Sequence, residues 1–256
     1  MSLAILCSGQ GAQHPAMLDM IADHPAAVEV IKAGEEELGL HLRDVLAQRE
    51  EIFRNAIAQP LICLTQLALW TVLRQDAPKP AAFCGYSVGE LASYACAGAI
   101  DAVELACIAA ARAALMDKAA AVTPGGLLAL QGLRRDEVAC LCAGQRAWIA
   151  IAIGEDEFVI GGEDIALAKL TTVFSERGAK LTRLKVGLAS HTPLLVDAVE
   201  PFRALLGASS MTAPATPVVA GIDATWVVRR ETAIEKLALQ LDRTIEWASC
   251  LDMLYE

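Results

Sequence analysis

The chain has 256 residues, 55% of them hydrophobic and only 5% aromatic, with a formal net charge of −10. That is ample apolar material for a core, and the acidic balance argues against nucleic acid or an anionic membrane surface as a partner. Scarce aromatics and abundant alanine suit helices packed closely on a sheet, so the fold class expected is α/β. Eight cysteines lie mostly in apolar runs with no C-x-x-C pair, and read as reduced core thiols of a cytoplasmic protein. The N-terminus has no basic segment before its short apolar run, and no uncharged stretch of membrane-spanning length with matching flanks is read, so neither secretion nor insertion is expected.

In chain order, "LAILCS" is a short strand. It breaks at "GQGAQHP", a loop at the carboxyl end, where parallel α/β sheets bind their ligands. A helical, acidic pattern runs from "AAVEVIKAGEEELG" to about Arg54, followed by an apolar helix in "NAIAQPLICLTQLALWTVLRQ". "KPAAFCGYS" leads into a second strand, "ELASYACAGAI" reads as a helix, and "DAVELACIAAARAALMDKAAA" as another with Asp101 as N-cap. From about Thr123 to Val186 the rhythm changes. A strand ("GGLLALQGL"), a helix ("RRDEVACLCAG"), two strands ("AWIAIAI" and "EFVIGG") around "GEDE", a helix opening at Asp164 and a last strand ("AKLTRLKV") follow. This β-α-β-β-α-β order is that of a ferredoxin-like unit. The expected division is therefore a main α/β core from 1–122 and 187–256, with 123–186 as an inserted subdomain.

The hexapeptide "GYSVGE" at 85–90 contains Gly-x-Ser-x-Gly, the elbow that sets a serine on a sharp strand-to-helix turn in α/β-hydrolase-like cores. As a bare pattern it is weak, so its partners must decide. A serine hydroxyl needs a base, and four histidines are available. His14, His24 and His41 lie in the N-terminal part; His191, in "GLASHTPLL", is the best candidate, because the chain leaving the insert must return there to the rim of the main sheet. Donors for an oxyanion are the N–H of Val88, at a helix start, and the main chain of Gln10, whose flanking glycines permit close approach. Each of these residues taken singly is equally compatible with an ordinary turn or loop.

Taken in register they match a family. "SGQGAQ", "GYSVGE", Arg112, "ASHTPLL" and "LALQLDRTIEWASCLDML" fall in the order and approximate spacing of malonyl-CoA:acyl-carrier-protein transacylases, and the resemblance spans essentially the whole chain. It implies an α/β-hydrolase-like core with a parallel sheet and an inserted ferredoxin-like (βαββαβ) subdomain. It implies Ser87 as the acyl-accepting nucleophile, His191 as base and later acid, and Gln10 and Val88 as oxyanion donors. Arg112 then grips the malonyl carboxylate, and the main-chain carbonyl of Gln240 orients the histidine. The implied substrate is malonyl-CoA and the implied partner an acyl carrier protein, with no metal or redox cofactor.

Three departures stand out. Tyr86 occupies the position before the nucleophile where most members have histidine, and "IAIGEDEFVIGG" lacks the asparagine often found in that segment. The chain ends at Glu256, where relatives usually continue through a glycine-rich strand end and further helices, which implies an edge left incomplete or a shortened product. "LCSGQGAQHPAM" and Tyr86 resemble the malonate decarboxylase branch, whose epsilon subunit malonylates that enzyme's carrier protein; other decarboxylase subunits would then be partners. The alternatives are a transacylase of fatty-acid or polyketide synthesis, a serine thioesterase or hydrolase, and a silent binding subunit.

Overall fold

The computed structural model describes residues 2–11 and 13–255. Readings that touch Met1, Ala12 or Glu256, including one position of "SGQGAQ" and the last residue, fall outside the described residues. The chain begins with strand β1 (Ala4–Cys7) and helices α1 (Pro25–Leu38) and α2 (Leu42–Ala47). One continuous helical stretch to Arg54 was expected. Instead α1 stops at Gly39, whose φ of 64° caps the helix in the left-handed region, α2 is a separate short helix, and Glu51–Phe53 forms a 3-10 turn.

Helix α3 (Asn55–Leu73) follows. It is long and apolar enough to cross a membrane by length and composition. In the fold it is a core helix, packed against α1, α4 (Val88–Cys96) and α5 (Ala102–Ala120). Asp101 caps α5 as expected, its carboxylate accepting the Glu104 N–H at 2.8 Å. Strand β2 (Ala82–Gly85), buried at all four positions, runs parallel to β1 in the register Ala4↔Ala82 to Cys7↔Gly85. The loop after Cys7 and the elbow after Gly85 therefore leave the sheet side by side.

Residues 123–186 provide β3 (Gly125–Gln131), α6 (Arg135–Cys142), β4 (Ala147–Ala152), β5 (Glu157–Glu163), α7 (Asp164–Glu176) and β6 (Lys180–Arg183). The C-terminal part adds α8 (Val196–Ala208), β7 (Val218–Val219), β8 (Trp226–Val227), α9 (Arg230–Leu239), β9 (Ile245–Glu246) and α10 (Trp247–Tyr255). The first sheet has the order β1-β2-β7-β8, parallel through β7 with β8 antiparallel at the edge. The second has the order β6-β3-β5-β4-β9. Its first four strands are antiparallel neighbours, while β9, from outside 123–186, joins parallel to β4.

Each sheet carries its own core. Phe83, Leu91, Leu105 and Phe202 are buried on the first, with Trp70 edge-on to Phe83 at 5.3 Å; Leu130, Phe158, Leu167 and Phe174 are buried on the second. Two of the eight cysteines depart from the buried-thiol reading: Cys107 and Cys140 are exposed, and all eight are unpaired.

Candidate active site

Ser87 sits between β2 and α4 with φ 57° and ψ −118°, a backbone conformation that an L-residue holds only when its surroundings fix it. The surroundings are two glycines and β1. A Cβ on Gly85 would lie 2.1 Å from the Gly89 carbonyl carbon, and one on Gly89 would lie 2.3 Å from the Cys7 oxygen. The Tyr86 N–H donates to the Cys7 carbonyl at 2.9 Å, and the Glu90 N–H to the Ser87 carbonyl at 2.9 Å. Strand end, loop and helix start are thus clamped together and leave the Ser87 side chain half-buried at the surface of the turn. Val88 is the first residue of α4, so its N–H is one of the helix's open donors. Gln10 is one residue beyond Gly9, whose own Cβ position is 2.5 Å from the Tyr86 carbonyl oxygen; the glycine-rich loop therefore presses against the elbow.

His191 arrives from the segment between β6 and α8 and is 1% exposed. Its N–H donates to the Leu241 carbonyl at 2.9 Å, tying this segment to the end of α9. Nδ1 lies 2.7 Å from the main-chain oxygen of Gln240 and Nε2 lies 2.7 Å from Ser87 Oγ. A carbonyl only accepts, so Nδ1 carries the proton and Nε2 is left to accept from the serine hydroxyl. Burial pushes the imidazole down to about 3, and the Arg112 guanidinium adds to this, against the Gln240 carbonyl, which favours the charged ring.

Arg112, on α5, is also 1% exposed. Its Nη1 donates to Gln59 Oε1 and its Nη2 to Gln240 Oε1, both at 2.8 Å, while its Nε is buried without a partner. Burial pushes it down to about 10, so it stays a cation at neutral pH. Gln240 is the hub: its main chain accepts from His191, its side-chain oxygen from Arg112, and its Nε2 donates to Glu90 Oε2 at 2.5 Å. The structure thus brings together Ser87, His191, Arg112 and Gln240, with Val88 and Gln10 on the elbow side. A serine so placed can be deprotonated by Nε2 and attack a carbonyl carbon, next to a buried cation with donor capacity to spare.

Gln59 and Glu90 belong to the same network and were missed. Glu90 ends "GYSVGE", and its signal was the one charged side chain of α4, set in its first turn; Gln59 is one of several polar residues of α3, with Asn55, Thr65, Gln66 and Thr71, and carried no comparable signal. Tyr86 packs edge-on to Trp247 of α10, ring centroids 5.2 Å apart. It therefore lies against the C-terminal segment, whose β9 is also tied to α6 by the Arg135–Glu246 ion pair at 2.7 and 2.5 Å.

The family described as acyl transferase domain matches residues 5–240. The chain belongs to that family. It is 32% identical to malonyl CoA-acyl carrier protein transacylase of Mycobacterium tuberculosis over 259 aligned positions, which cover 99% of this chain and 85% of the relative. Among solved structures, acyl-carrier-protein S-malonyltransferase of Burkholderia pseudomallei superposes with a TM-score of 0.94 at 26% identity, covering 100% of this chain and 86% of the other. A type II PKS acyl-carrier protein in complex with its malonyl-transacylase gives the same TM-score at 25% identity, covering 100% and 85%.

Proposed function

We propose that the protein transfers a malonyl group from malonyl-CoA to the phosphopantetheine-type thiol of an acyl carrier protein through a malonyl-serine ester. The observation that carries this reading is the joining of the Ser87–His191–Gln240 chain to a buried arginine that has an unsatisfied donor. An acyl chain ending in a carboxylate supplies the acceptor that Arg112 lacks, and guanidinium matches a carboxylate with two parallel donors.

The geometry supports the following steps. His191 Nε2 takes the Ser87 proton as Oγ attacks the thioester carbonyl, and the N–H groups of Val88 and Gln10 receive the oxyanion. The tetrahedral intermediate collapses, the C–S bond breaks, and the imidazolium returns its proton to the departing CoA thiolate. In the second half His191 takes the carrier thiol's proton, the thiolate displaces Ser87, and the serine regains its proton. The second reading, a thioesterase, needs water in place of the carrier thiol. Against it stands the carbonyl of Gln240 where hydrolase triads set a carboxylate.

The elbow on a mainly parallel sheet and the antiparallel order β6-β3-β5-β4 support an α/β-hydrolase-like core with a ferredoxin-like insert at 123–186. Service to malonate decarboxylase rests on "LCSGQGAQHPAM" and Tyr86; the acyl-carrier-protein complex among the structural matches favours fatty-acid or polyketide synthesis instead. Eight unpaired thiols support a cytoplasmic setting.

The test is intact-mass spectrometry after brief incubation with malonyl-CoA or acetyl-CoA. A malonyl-sized adduct on the wild type, absent from Ser87→Ala and from the acetyl-CoA sample, is expected. Free malonate released without a carrier would identify a thioesterase, and a wild type that never acylates would leave a binding subunit.

A further inference from the structure

Glu90 stands three residues after the nucleophile, 1% exposed, in the first turn of α4. The steps above give it no part. A carboxyl group buried this deeply persists only where its neighbours hold it. Here Oε2 accepts from the Gly221 N–H at 3.0 Å and from Gln240 Nε2 at 2.5 Å, while Oε1 has no partner.

The contact with Gln240 has a direction. A primary amide donates from one end and accepts at the other. With its NH2 on Glu90, Gln240 turns its oxygen to Arg112 Nη2. Rotating that amide by half a turn would set NH2 against the guanidinium donors and oxygen against the Glu90 oxygen, two repulsions in place of two bonds. Gln59 fixes the other end of the guanidinium, so Arg112 is held between two amide oxygens, one of which is aimed by Glu90.

We infer that Glu90 is a positioning residue for acyl selectivity: as the acceptor at the far end of the Gln240 amide, it holds the Arg112 guanidinium where the acyl carboxylate meets it. The inference rests on the malonyl-transfer reading. An acceptor is all the role requires. Burial pushes the carboxyl up to about 7, opposed by the Gly221 and Gln240 hydrogen bonds and by Arg112, with Asp223 adding to the rise; Tyr94 and Cys84 are the other titratable groups that feel it. Protonated or not, Oε2 keeps a lone pair for Gln240.

The experiment compares wild type, Glu90→Gln and Glu90→Leu for the kcat/KM of Ser87 acylation by malonyl-CoA and by acetyl-CoA, with thermal unfolding as the check on folding. Glu90→Gln keeps an acceptor and is expected to hold the malonyl:acetyl ratio within about threefold of wild type. Glu90→Leu is expected to lower that ratio at least tenfold. Parallel losses with both donors in Glu90→Leu, an unchanged ratio in Glu90→Leu, or a Glu90→Gln that behaves like Glu90→Leu would each overturn the assignment.

The wild type alone gives a second readout that needs no variant to fold. Its malonyl:acetyl ratio is expected to stay flat from pH 6 to 8.5, and a step near pH 7 would show that the charge of Glu90 does the work, overturning the acceptor role. A wild type that forms no malonyl-serine overturns the activity and this role together. Malonyl-serine formation with the ratio intact in Glu90→Leu overturns the role of Glu90 alone.

Discussion

At the scale of single residues, the proposed base, His191, lies in the field of the proposed carboxylate partner, Arg112. Burial and the guanidinium hold the imidazole far below its ordinary value, at about 3, so the free enzyme carries a neutral base throughout the physiological range. The kcat/KM for malonyl-CoA should therefore stay level down to at least pH 5.5, since that parameter reports the free enzyme. Arg112→Ala removes the cationic part of the depression, so the acid limb should move upward toward 6.5. It also removes the proposed carboxylate partner: charged hydrogen bonds contribute about 1.5–3 kcal/mol, so malonyl-CoA should lose about 10- to 100-fold in kcat/KM while acetyl-CoA changes a few-fold. Stopped-flow acylation across pH tests both. A wild-type limb centred near 6.5, or a variant that kept its malonyl preference, would contradict this account.

At the scale of elements, the site depends on how closely α4 starts against β1. The Cβ positions at Gly89, 2.3 Å from the Cys7 oxygen and 2.6 Å from the Ser8 oxygen, face backbone that has no side chain to move aside. Gly89→Ala should therefore cost about 1–3 kcal/mol in denaturant unfolding, and acylation should fall further than stability, because the displaced backbone carries both Ser87 and the loop of Gln10. An alanine tolerated at both levels would show the clamp to be loose. This clamp was legible beforehand, since "GYSVGE" following an apolar strand has a local mechanism, and the β-α-β-β-α-β rhythm of 123–186 was legible for the same reason. What escaped was non-local or short. The break at Gly39 was lost in a run of good helix formers. Two-residue β9 has no pattern of its own and is specified by its partners on β4, Ile151 and Ala152. The couplings of Gln59 and Glu90 to Arg112 and Gln240 span 53 and 150 positions of sequence, and neither residue type announces a partner at such distance.

At the scale of the whole molecule, the site places two titratable groups with opposite demands in one buried network, and folding stability should record both. His191 is depressed from 6.5 to about 3: below pH 6.5 the unfolded chain binds a proton that the folded chain refuses, so stability falls as pH drops through that window. Glu90 is raised from 4.5 to about 7: between those values the folded chain holds a proton that the unfolded chain has released, so stability is fully present below pH 4.5 and falls as pH rises toward 7. Each contribution approaches one proton, about 1.4 kcal/mol per pH unit. From pH 4.5 to 6.5 they oppose each other and largely cancel, which substitution should expose. Relative to Glu90→Gln, the wild type should lose stability as pH rises from 4.5 to 7 and hold a constant difference above that. Relative to His191→Gln, it should lose stability as pH falls below 6.5. Urea unfolding of the three proteins at half-unit pH intervals measures both slopes, and differences that stayed parallel across pH would mean that neither group is held in the protonation state its burial imposes. The two groups meet through Gln240, so the double variant should depart from the sum of the single ones.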